Sequence, residues 1–72
     1  MKFNVWKTSA TPDHTIKARD IDAAADRYMA DWGDAGCDCI SDHITLLMYD
    51  AGVVAIVEDG YSPDIEDFLT KP

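Results

Sequence analysis

Asp20-Ile21-Asp22-Ala23-Ala24-Ala25-Asp26-Arg27-Tyr28-Met29-Ala30-Asp31-Trp32-Gly33 reads as one amphipathic helix. At about 100° per residue, Ile21, Ala25, Tyr28 and Trp32 fall within one narrow apolar stripe, flanked by Ala24 and Met29. Asp22, Asp26, Arg27, Asp31 and Asp34 occupy the opposite side. Asp20 is suited to the N-cap, because its carboxylate accepts orphan amides and is favoured by the positive end of the helix dipole. Three consecutive alanines raise helix propensity and keep the helix thin enough to lie close to a sheet. Gly33 or Gly36 ends it.

On the N-terminal side, residues 3–8 alternate as a strand, with Phe3, Val5 and Lys7 on one face and Asn4, Trp6 and Thr8 on the other. Ser9-Ala10-Thr11-Pro12-Asp13 is a turn cluster. Residues 14–18 form a short second strand and complete a hairpin. On the C-terminal side, residues 37–42 read as a polar connection. Residues 43–49 form a strand, Asp50-Ala51-Gly52 turns the chain, and residues 53–58 return as a strand rich in β-branched side chains. Neither strand has a polar face, so this hairpin is expected at the centre of a sheet or covered on both sides. Ser62-Pro63-Asp64 marks a helix start, with Ser as cap and Pro at the first position, followed by about one turn. The expected architecture is α+β with the order β-β-α-β-β, one helix on an antiparallel sheet, in a single domain spanning residues 1–72.

The charge is lopsided. Residues 1–19 carry Lys2, Lys7, Lys17 and Arg19 against Asp13 alone, whereas the remaining acids face only Arg27 and Lys71. The net charge is −8, and 12 of the 14 acids are Asp. Such a field governs solubility and partner choice. It disfavours direct contact with nucleic acid, whose phosphates demand Lys and Arg, and it favours a basic protein partner. With 47% apolar residues the chain is not a disordered acidic tail. No apolar run approaches the roughly 20 residues of a membrane span, and Met1 to Lys7 lacks the apolar core of a signal peptide. A cytoplasmic protein with reduced cysteines is expected.

Candidate chemistry is sparse. Cys37-Asp38-Cys39 precedes His43 by four residues, but structural zinc sites use cysteine pairs spaced by about two to four residues and need a second pair. A metal held between two copies is the remaining option. Cys37 or Cys39 with His14 or His43 is a conceivable nucleophilic dyad without a local signature. The aromatics Phe3, Trp6, Tyr28, Trp32, Tyr49, Tyr61 and Phe68 are expected mainly in the core, with Tyr28 and Trp32 on the buried helix stripe. Tyr61 and Phe68 are freer to lie at an interface. The expectation is therefore a non-catalytic protein without cofactor or metal. Its candidate partner-binding residues are Asp22, Asp26, Asp31, Asp34 and Asp38, extended by Asp42. A structural or assembly module is the alternative, for example a homodimer joined through edge strands or an aromatic patch, with the acids serving solubility.

The run from Thr15 to Ala25 with Arg27-Tyr28, followed by the hairpin of residues 43–58 and Glu58-Asp59-Gly60, resembles the layout of small bacteriophage proteins. Several anti-CRISPR inhibitors are among these. The resemblance implies a stoichiometric inhibitor of a host defence protein, such as a CRISPR-Cas component, bound at a surface meant for nucleic acid. It carries over no functional residue.

Overall fold

The computed structural model describes residues 1–8 and 11–69, and of residues 65 and 69 the backbone alone. Ser9 and Ala10 of the expected turn, and Lys71, lie outside the described residues. The elements are β1 (Lys2–Trp6), β2 (Pro12–Lys17), α1 (Ile21–Trp32), β3 (Gly36–Ser41), β4 (Ile44–Tyr49), β5 (Gly52–Glu58) and α2 (Ile65–Leu69). The strands make one antiparallel sheet in the order β2-β1-β5-β4-β3. The order is thus β-β-α-β-β-β. The α+β class and the helix-on-sheet layer are as expected, but the polar connection of residues 37–42 is in fact mostly a fifth strand.

That correction has a physical cause. Every residue of β3 is exposed, so the segment has no apolar face to give it a strand's alternation. It is a strand because β4 offers a free edge, to which Cys37, Asp38 and Cys39 pair opposite Leu47, Leu46 and Thr45. Local sequence carries no trace of such a partner.

The chain leaves β2 at one edge of the sheet and re-enters as β3 at the other, and α1 makes this connection while lying along the sheet over β2, β5 and β4. Its start follows the end of β2, whereas its last turns come back to the start of β2 and the end of β1, where Tyr28 stacks on His14 and the Lys7 ammonium lies over Trp32. Asp20 caps the helix as expected: its Oδ1 accepts from the Ala23 amide at 2.8 Å. Gly33, at φ 100°, closes the other end and donates its amide to the Met29 carbonyl at 2.8 Å. The α1 face of the sheet is closed by Phe3, Val5, Ile16, Leu47 and Ile56, against Ala24, Ala25 and Tyr28 of the helix.

The opposite sheet face is also apolar. Trp6, Leu46, Ala55 and Val57 are buried there, with Phe68 of α2 packed against them. The β4–β5 hairpin is therefore covered on both sides, as its lack of a polar face required. α2 starts two residues later than Ser62 and Pro63 indicated. Asp64 precedes it, and its amide donates to Asp67 Oδ2 at 2.9 Å, one half of a capping box.

Trp32 departs from the expected stripe. Tyr28 is 3% exposed but Trp32, one turn later, is 60% exposed. The helix outruns the sheet beneath it, so its last turn has the phase of the core without a core to meet.

Candidate partner-binding surface

Burial of Ala24, Ala25 and Tyr28 fixes the rotation of α1 and leaves Asp22, Asp26, Arg27 and Asp31 exposed. Because α1 lies along the sheet between its two edge strands, these charges divide between two flanks. Asp26 and Asp22 lie toward β3, close enough that, after partial burial, their charges help push the Cys37 thiol above its ordinary value. Asp31 lies toward β2. With Arg27, Lys17, His14 and Tyr28 it lines a shallow pocket of about 440 Å³. Asp34 follows the Gly33 cap. Its charge contributes, after partial burial and Tyr28, to holding the Tyr49 hydroxyl above its ordinary value. Asp38 pairs opposite Leu46, and directly opposed residues share a sheet face. It therefore points to the face away from α1.

The five predicted residues do not make one continuous surface. Asp22 and Asp26 lie on the flank of α1 toward β3, Asp34 follows the helix near Tyr49, Asp38 lies on the opposite sheet face, and Asp31 faces the basic residues of the other flank. The periodicity of α1 could group the helical acids, but only the path of the chain over the sheet could separate them.

Among the described residues, none of these five carboxylates has an ion-pair partner. The pairs present are Lys7–Asp13 at 3.3 Å, His14–Asp13 at 3.6 Å, Arg19–Asp20 at 3.6 Å and His43–Glu58 at 3.0 Å. Two of the few basic side chains are thus spent within the first hairpin and at the helix entry. Asp22 and Asp26, at i and i+4, repel one another by about 0.2–0.5 kcal/mol. Asp31 stands in the last helical turn, where the dipole disfavours a negative charge. These positions cost the free chain stability.

β3 is the outermost strand on this side. Cys37 and Cys39 are exposed free thiols on its α1 side, opposite Leu47 and Thr45. Their Sγ atoms lie 3.9 Å from the Ala35 carbonyl oxygen and 3.4 Å from that of Ser41. The histidines are engaged elsewhere. His43 Nδ1 meets Glu58 Oε1 at 3.0 Å while its ring stacks on Tyr61, centroids 3.9 Å apart. His14 stacks on Tyr28 at 6.0 Å. Among the described residues none of the four Cys–His pairings is hydrogen-bonded, and no three His, Cys, Asp or Glu side chains converge as a metal cluster would require.

A feature that the helical periodicity hid lies at the end of the sheet. β1 pairs with β5 only from Ala55 onward, leaving a notch beside residues 52–54. Tyr28, Trp32, Tyr49, Val53 and Phe68 line a groove of about 410 Å³ there, with Lys7 at its rim. The Lys7 ammonium sits 5.3 Å from the Trp32 ring centroid, and Trp32 stacks on Tyr28 at 6.1 Å.

Among the described residues no helix is long and apolar enough to cross a membrane. No protein-family model matches the chain, and neither a curated protein nor a solved structure matches it.

Proposed function

We propose that the chain is a non-catalytic protein-binding inhibitor that engages a basic surface of its target through the acidic side formed by α1 and β3. The observation that carries this reading is the exposure of Asp22 and Asp26, without an ion-pair partner among the described residues, on the flank of α1 toward a strand whose every residue is exposed. Charges that repel within the free protein are offset when Lys and Arg of a partner approach. Such a surface steers association and makes it sensitive to salt. The one-helix-on-sheet layout, here with a fifth strand, resembles that of small phage inhibitors of the anti-CRISPR type. A nucleic-acid-handling host defence protein supplies the complementary Lys- and Arg-lined surface.

The test is charge reversal. The double variant Asp22→Lys, Asp26→Lys should keep the wild-type circular dichroism, because both side chains are exposed. It should lose capture of basic proteins from host-cell lysate at low salt, and its association rate with an identified target should fall by about tenfold or more. Capture of the same proteins by wild type and variant would reduce the acidic side to a solubilising role.

A further inference from the structure

We propose that the outer edge of β3 is a docking strand, which adds an extended, basic segment of the partner to the sheet as a sixth strand. This rests on the acidic-surface reading and specifies how that surface binds.

The sheet has two edges, and they are built differently. β2 begins at Pro12, which has no amide to donate, ends at Lys17, and lies under α1, with Ile16 buried and His14 stacked on Tyr28. Proline, lysine and a covering helix are common means of blocking an edge. β3 has neither proline nor lysine, and all its residues are exposed. Among the described residues, no backbone group other than those of β4 pairs with it. The pairing slips between Cys39 and Ser41, so residues 36–39 form the regular part of the edge. An open edge supplies affinity through backbone hydrogen bonds, and the flanking side chains supply selectivity.

Charge selects the occupant. A strand added outside β3 would have Asp22 and Asp26 beside it on the α1 face and Asp38 on the other. Positive side chains are thus favoured on both faces of the incoming strand. A second copy of this chain meets the opposite condition. Pairing β3 with β3 would bring two sets of Asp38, Asp34 and Asp42 within about a Debye length, in two chains that each carry −8. The edge is open to a basic strand and closed to itself.

The probe is a short synthetic peptide in which Arg-Arg pairs alternate with Val-Val pairs, so that an extended strand carries Arg on both faces. It is compared with a Glu/Val counterpart and with an Arg/Val peptide N-methylated on every amide, which keeps the charge but leaves neither edge of its backbone able to pair. Affinities and amide hydrogen exchange along the chain are measured on the wild-type protein. The Arg/Val peptide should bind and slow exchange at amides within residues 36–41. N-methylation should weaken binding by about tenfold or more, equivalent to a backbone hydrogen bond or two, and the Glu/Val peptide should not bind. Equal binding of the N-methylated peptide overturns the docking strand and leaves the acidic surface standing. Loss on N-methylation with full binding to the Asp22→Lys, Asp26→Lys variant overturns the acidic-surface reading and leaves the strand. Failure of the Arg/Val peptide to bind, protection centred on the Trp32 groove, or concentration-dependent protection of β3 without peptide each overturns the proposal.

Discussion

Cys37 reports on its surroundings. Partial burial, then the carboxylates of Asp26 and Asp22, hold its thiol above the ordinary value. The thiolate is the reactive form, so less of it is present at a given pH and alkylation is slower. Asp26→Asn removes one of the raising charges. Iodoacetamide labelling of Cys37 at about pH 8 should then accelerate by about twofold, with peptide mapping to separate it from Cys39. Added salt should produce the same change in the wild type. An unchanged rate in both experiments would mean that the helical acids do not reach β3. The sign for stability follows from the same shift. The folded protein holds this proton to higher pH than the unfolded chain does, so stability is unaffected well below 9.0 and declines as pH rises through it.

At the level of elements, α1 was legible because its signals agree: a capping Asp, an apolar stripe and a closing Gly. Asp20→Ala removes the acceptor of the Ala23 amide and should cost about 1 kcal/mol. That lowers the melting temperature by about 4–8 °C for a domain of this size. A melting temperature equal to that of the wild type would show that water or another side chain replaces the cap. β4 and β5 were legible for a different reason, since their apolar residues run without a polar face and lie between two covered faces. β3 was not. Gly36-Cys37-Asp38-Cys39-Ile40-Ser41 has neither alternation nor a rich β-branched content, and its pairing partner lies in a different segment. The end of α1 was half legible: Gly33 stopped the helix, but the position of Trp32 past the sheet depended on where the strands end.

For the molecule as a whole, the charge of −8 predicts that salt stabilises the fold. Raising ionic strength from about 0.01 M to 0.15 M shortens the Debye length from roughly 30 Å to 8 Å, while the molecule measures 28 × 24 × 20 Å. Repulsion between the α1–β3 side and the C-terminal acids Asp64, Glu66 and Asp67 is then largely screened. The melting temperature should rise by a few degrees, about what 1 kcal/mol or less provides. A flat or falling melting temperature over that range would show that the ion pairs of the first hairpin outweigh the repulsion.

Sequence alone determined the helix, its caps, the two covered strands, the α+β class and the imbalance of charge, because each depends on residues close together in the chain. The tertiary structure decided that residues 36–41 form an edge strand, that Trp32 overhangs the core, and that the acids divide between two flanks with Asp38 on a third face. These depend on pairing and crossing between distant segments. The strand edge that β3 leaves open, and the charges around it, exist only once α1 has carried the chain from one side of the sheet to the other.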